Sequence, residues 1–258
     1  MTRLIRLSDR DTETLAKIRK LGPTVFQAQP HSYDNVVVVK PWGYEFLVYQ
    51  NDQVAIWFLH LEKEHATSMH CHPKKKTALI VLSGQALCNT FFKRNYLAGV
   101  DGAVIEAGVF HSTRALSEGG ADVIEIETPV DKADLVRLDD RYGRSRKGYE
   151  GLSEMKTEQL EQYGFFACAE PQNGYIHVHR TRNYEIALRH FPECLTFGEL
   201  MRRERGELYC VCRGAISNGA RTAIIGPGDL ADCSFLETFD DALIDANTIL
   251  FRSQSLRE

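Results

Sequence analysis

The chain has no run of 18 apolar residues, so no transmembrane helix is expected. Its opening residues, Met1-Thr2-Arg3-Leu4-Ile5-Arg6, lack the apolar stretch of a signal peptide. No long block of charge carries one sign. The 31 Lys and Arg are set against 35 Asp and Glu, a formal net charge of −4, and neither a nucleic-acid nor a membrane surface is expected. Cysteine is too sparse for a disulfide framework: the count is seven, odd, and scattered apart from Cys210 and Cys212. That pattern fits reduced thiols in a cytoplasm, with the Cys210-x-Cys212 pair packed in a strand-like core. Histidine is scarce as well, and none of the nine lies beyond position 190.

What remains is an ordinary globular composition, 43% hydrophobic and 26% charged, over 258 residues, enough for one large or two small domains. The most informative segment is Ser68-Met69-His70-Cys71-His72, followed 39 residues after His72 by His111 at the end of Glu106-Ala107-Gly108-Val109-Phe110-His111. A β-strand places residues i and i+2 on one face, so His70 and His72 point together and Cys71 points away. A third imidazole from a later strand closes a facial set of three nitrogen ligands with positions left open for water or substrate. An isolated HxH is more often two polar residues on a solvated strand face. Here the buried strand Thr77 to Leu82 and the turn Ser83-Gly84-Gln85 follow it.

This order of HxH, strand, Gly and a downstream GxxH resembles the two motifs of the cupin superfamily. Within it the chain is most similar to the cupin of type II mannose-6-phosphate isomerases. The narrower resemblance is carried by Lys40-Pro41-Trp42-Gly43-Tyr44-Glu45, by Leu79 to Gly84, and by Asp134-Leu135-Val136-Arg137-Leu138-Asp139-Asp140-Arg141-Tyr142-Gly143-Arg144. It implies an all-β fold of jelly-roll (double-stranded β-helix) barrels. It also implies one divalent transition metal (Zn, Fe, Mn or Ni) on His70, His72 and His111, and an arginine of the last segment, Arg137, near the substrate. Three positions depart from the family. Thr77 stands where the usual glutamate ligand sits, His70 replaces a glutamine, and Glu106 replaces a proline.

Short helices are expected over 8–21, stopped by Gly22-Pro23, and over 153–164. Strands are expected at Val36 to Val39, Gln53 to Leu61, Val104-Ile105 and Ala121 to Thr128. The second half repeats the first at an offset of 130, with Ile56 on Ile186, His60 on His190 and Gly84 on Gly214. The expected organisation is therefore a tandem cupin: an N-terminal cupin with the metal site in 1–150 and a degenerate second cupin in 151–258. In the second, Leu200 and Arg202 replace the His pair, while Glu207 keeps the carboxylate of position 77. His177-Val178-His179 repeats the HxH spacing without a downstream partner and reads as an exposed strand face or a link between barrels. His60 and His190 read as hydrogen-bonding strand residues, and His31 and His65 carry no partner signal.

Around the triad, Lys74, Lys75 and Lys76 form either a phosphate-binding mouth or a solvated turn. Lys40 and Trp42 are expected at the entrance, with the core as the alternative place for Trp42. Arg137, Lys76 and Glu45 are the candidate catalytic residues, with Glu106 and His60 as further candidate bases. The resemblance implies isomerisation or epimerisation of a sugar phosphate or nucleotide sugar. A three-His non-haem iron oxygenase and a non-catalytic sugar-binding cupin, with a homodimer possible in each case, are the alternatives.

Overall fold

A computed structural model describes residues 2–20, 32–139, 141–143, 152–203 and 206–256. His31, Gly22-Pro23, Asp140 and Arg144 lie outside them. The first half runs β1 (Thr2–Ile5), α1 (Asp9–Lys20), β2 (Val37–Lys40), β3 (Gly43–Gln50), β4 (Ala55–Leu61), β5 (Met69–Cys71) and β6 (Lys76–Ser83). It continues with β7 (Gln85–Thr90), β8 (Arg94–Ala98), β9 (Gly102–Ile105), β10 (His111–Ala115), β11 (Ala121–Thr128), β12 (Val136–Asp139) and β13 (Met155–Lys156). The second half holds β14 (Ile176–Arg180), β15 (Tyr184–Phe191), β16 (Leu195–Thr196), α2 (Phe197–Arg203), β17 (Leu208–Arg213) and β18 (Ile216–Ser217). It ends with β19 (Ala223–Ile225), β20 (Leu230–Asp232), α3 (Cys233–Leu236), β21 (Leu243–Ile244) and β22 (Thr248–Ser255).

These strands form two jelly rolls in tandem. In the first, a sheet ordered β1-β9-β6-β11-β4-β3-β2-β13 faces one ordered β12-β5-β10-β7-β8. The second has sheets ordered β14-β15-β22-β17-β20 and β16-β21-β18-β19. Reading β9-β6-β11-β4-β3 against β20-β17-β22-β15-β14 gives the same order, as does β5-β10-β7-β8 against β16-β21-β18-β19. The repeat seen at an offset of 130 is thus a repeat of topology. It fails where the metal motif sits. Position 200, matched to His70, lies in α2, where Leu200 is buried in the second core and Arg202 is exposed. Glu207 is exposed too and accepts a hydrogen bond from the Ser255 backbone, so the carboxylate expected there does not face a barrel interior.

Strand alternation explains the two faces of the large first sheet. Val37, Phe46, Ile56, Phe58, Ile80, Ile124 and Ile126 lie on its outer face. They pack with Ile186, Leu188, Leu208, Cys210 and Phe251 of the second half in one continuous cluster. Each such side chain contributes about 1.5–3 kcal/mol when fully buried. Cys210 and Cys212 are both fully buried and free, as their strand position implied. The inner face carries Leu47, Trp57, Leu59, Leu79 and Val81 together with a set of charged residues taken up below.

One expected element differs. Residues 153–164 do not form a continuous α-helix but two 3-10 turns, Leu152–Glu154 and Leu160–Tyr163, on either side of β13. Met155 and Lys156 are drawn out as an edge strand on β2. Gln159 adopts a left-handed conformation, φ 55°, which an α-helix interior does not allow. His177 and His179 lie on β14, an edge strand. Val178 points to solvent, and the His179 ring stacks on Phe166 at 3.8 Å. Among the described residues, no helix is long and apolar enough to cross a membrane.

Candidate metal centre

The antiparallel pairing of β5 with β10 sets His70 directly opposite His111, and the two-residue period turns His72 to the same side. Ring centroids lie 4.6 Å apart for His70 and His111, 5.0 Å for His70 and His72, and 5.9 Å for His72 and His111. One ligand atom from each falls within 4.8 Å of the others. Cys71 points to the opposite face, where Phe110, Val136 and α1 residues Leu15 and Ile18 cover it completely. The first turn of α1 fixes the approach to His111. Asp11 accepts from the Ser8 backbone N–H through one oxygen and from the Phe110 N–H through the other, at 3.0 and 2.8 Å.

Each imidazole is oriented by a backbone carbonyl. Nδ1 of His70 meets Ser68 O at 2.8 Å, Nδ1 of His72 meets Asp134 O at 2.6 Å, and Nδ1 of His111 meets Val109 O at 3.0 Å. A carbonyl only accepts, so all three Nδ1 atoms carry the proton. The three Nε2 atoms are left as bare lone pairs, and Nε2 of His72 is buried without a hydrogen-bond partner. Burial holds His70 and His72 well below the ordinary imidazole range, with His111 the next cause for His70 and Lys75 for His72. Burial lowers His111 too. Three neutral imidazoles, each tied at Nδ1, form the donor set and outer support that a divalent transition ion takes. The residues present therefore fit the metal.

Asp134 is the hub of this support. Its carbonyl holds His72, and its carboxylate accepts the backbone N–H groups of Lys74 and Lys75 at 2.8 and 2.9 Å. The triad opens into a cavity of ≈ 60 Å³ whose walls include Lys40, Trp42, Glu45, Lys75 and Arg137. Ordinary small-molecule pockets measure about 300–1,000 Å³, so this one admits the reacting end of a molecule rather than the whole of it.

Of the residues singled out from sequence, Lys40, Trp42, Glu45, Lys75 and Arg137 thus share the cavity with His70 and His72. Arg137 sits opposite His70 in the ladder of β12 and β5. The other two lysines do not share it. Lys74 is exposed and contributes only its backbone. Lys76 opens β6 on the face it shares with Ala78 and Ile80, so its ammonium turns to the second half and pairs with Asp229 at 2.5 Å. Glu106 is also elsewhere, accepting from the Leu7 N–H near the surface. His60 pairs with Asp122 at 2.8 Å.

Three charged cavity residues were not foreseen: Glu125, Glu127 and Lys132. Glu127 lies directly across the ladder from Thr77, so the neighbouring strand supplies a carboxylate beside the position where the family motif has one. Carboxylate oxygens of Glu125 and Glu127 lie within 4.8 Å of a His72 nitrogen. The signal was present in Glu125-Ile126-Glu127, which has the same i, i+2 spacing as the His pair inside an otherwise apolar strand. Lys132 lies in a loop and had none.

These charges are organised. Lys75 donates to Glu127 at 2.7 Å, and Lys132 lies 3.9 Å from Glu127, 3.8 Å from Glu45 and 3.4 Å above the Trp57 ring. Lys40 pairs with Glu45 at 3.4 Å. Burial alone would raise Glu127, yet the Lys132 and Lys75 ammoniums outweigh it and hold the carboxyl below its ordinary value. Glu125 makes no hydrogen bond or ion pair among the described residues; burial first, then the Glu127 charge, pushes it up to about 7. Four cationic side chains thus face three carboxylates, and a bound divalent ion would leave the cavity clearly positive.

No protein-family model and no curated protein matches the chain. Solved structures that are similar include KdgF from Halomonas sp., 17% identical over 36% of this chain and 85% of that one, TM-score 0.34. Another is an RmlC-like cupin from Shewanella frigidimarina, 14% identical over 41% and 95%, TM-score 0.35. A third is a cupin-superfamily sugar phosphate isomerase from Silicibacter pomeroyi, 12% identical over 47% and 84%, TM-score 0.33. Likeness at this level says nothing about what the chain does.

Proposed function

We propose that the chain is a metal-dependent enzyme that isomerises or epimerises a sugar phosphate or nucleotide sugar, in the manner of the type II mannose-6-phosphate isomerases its motifs resemble. The observation that supports this most is the pairing of two features in one cavity. One is the set of three neutral imidazoles with bare Nε2 atoms; the other is a carboxylate, Glu125, held beside them without an ion-pair partner among the described residues. His70, His72 and His111 would hold one divalent transition ion, which supplies Lewis-acid polarisation of a sugar carbonyl or hydroxyl oxygen.

The remaining chemistry belongs to the chain's own groups. Aldose–ketose conversion removes a proton from C2 and returns it to C1, which needs a single base placed over both carbons. Glu125 fills that role, since its carboxylate lies beside His72 in the cavity. Glu45 is less free to act than its position in the sequence implied, because Lys40 and Lys132 both lie against its carboxylate. Arg137 and Lys132 face the negative charge that develops on the sugar oxygens. Trp42 and Leu59 contribute apolar wall to the cavity.

The test is incubation of the metal-loaded protein in D2O with aldose and ketose phosphates. Deuterium should appear at the carbon next to the carbonyl. Glu125→Gln should lower turnover about 10²–10⁴-fold with metal content unchanged. Oxygen consumption with an organic substrate and no sugar conversion would instead establish the oxygenase. Sugar binding without turnover, unaffected by metal removal, would establish the binding module.

A further inference from the structure

The sheet that carries the triad on its inner face carries a second concavity on its outer one. A bulge between Arg137 and Asp139 sends the first inward opposite His70 and the second outward opposite Met69. On the same outer face, Ser112 of β10 lies opposite Asn89 of β7, which lies opposite Arg94 of β8. Arg114 follows two residues after Ser112, and Arg141 closes the rim. Together they enclose a groove of ≈ 300 Å³, five times the volume of the triad cavity and within the range of ligand pockets.

Three guanidinium groups face this groove against one carboxylate, Asp139, on a chain whose formal net charge is −4. Arg94 and Arg141 have no hydrogen-bond or ion-pair partner among the described residues and are exposed. Arg114 pairs with Glu64, and its Nε is buried without a hydrogen-bond partner. Guanidinium groups at an ordinary surface find carboxylates or disperse. Here they come from three separate elements and converge with the Ser112 hydroxyl and the Asn89 amide on one concavity. Each guanidinium offers a rigid fork of donors and no acceptor. Several forks approaching from different directions suit a tetrahedral group with many oxygens better than a planar carboxylate with two.

We propose that this groove is an oxyanion subsite that takes the phosphate of a phosphate monoester or diphosphate. It stands on its own donors and does not require the metal. Thr67 and Ser68 wall both the groove and the triad cavity. A substrate whose reacting end enters the small cavity would therefore find its phosphate anchor around this segment; that link alone rests on the proposed function.

The experiment is calorimetric titration of the intact protein with inorganic phosphate, pyrophosphate and acetate at constant ionic strength. The expected result is saturable binding of phosphate and pyrophosphate, weakened at least about tenfold in an Arg94→Ala/Arg141→Ala double variant, since hydrogen bonds from a charged donor are the strong ones. Both side chains are exposed, so the variant should melt with the wild type, and His72→Ala should bind phosphate undiminished. Absence of saturable phosphate binding, equal binding by the double variant, or equally tight acetate would overturn the proposal. So would loss of phosphate binding in His72→Ala, which would place the anion in the triad cavity.

Discussion

His72 and the loop that follows it are held by a single residue. Asp134 accepts the imidazole proton on its carbonyl and two backbone protons on its carboxylate, so ligand orientation and loop shape are one constraint. The three buried imidazoles make stability depend on pH. Their folded pKa values lie below the unfolded value of 6.5. Above that pH both states are neutral and the full stability is present; as pH falls below it the unfolded chain takes up protons that the folded chain refuses, and stability is lost. Glu125, raised in the fold, opposes this with one proton against as many as three. Thermal melts of metal-free protein should therefore fall progressively from pH 6.5 to 5, and a flat profile would contradict the assigned neutral imidazoles. At this scale the sequence disclosed His70, His72 and His111 because ligand spacing on strands is a local pattern. Glu125 and Glu127 share that i, i+2 spacing, but only the pairing of β11 with β4 and β6 turns them to the cavity, and Lys132 lies in a loop that no local pattern places.

At the scale of elements, most strands follow from alternation, and α1 from its cap and stop signals. The segment 153–164 went the other way because its helical spacing was weak and the open edge of β2 competed for Met155 and Lys156. The misplacement of Lys76 has the same origin. Three consecutive lysines look alike in sequence, but Lys74 and Lys75 precede β6 while Lys76 opens it on the outer face, and only Lys75 reaches the cavity. The turn at Gly226-Pro227-Gly228-Asp229 braces this region. Gly228 has φ +74°, and a Cβ there would lie 2.3 Å from Thr128 Cγ2. Thr128 pairs with Lys76 in the rung next to Thr77 and Glu127. Gly228→Ala should cost more than about 1 kcal/mol, from left-handed strain together with the contact. An unchanged denaturant midpoint would show that the turn does not press on β11.

For the whole molecule, the two jelly rolls share one apolar cluster rather than meeting across a polar seam. Denaturation should accordingly show a single transition followed alike by fluorescence and circular dichroism; two resolved transitions would mean that the halves are independent. The tandem arrangement was legible as a repeat, but this shared core was not, because alternating strands show that two apolar faces exist without showing what each will meet. The claim on which the function rests is that the intact protein binds one transition ion through His70, His72 and His111. Its most direct test is titration of metal-free protein with Co²⁺, followed by visible absorption, in wild type and His72→Ala. One equivalent taken up by the wild type and none held by the variant is the predicted result. Uptake by both alike, or by neither, would contradict it.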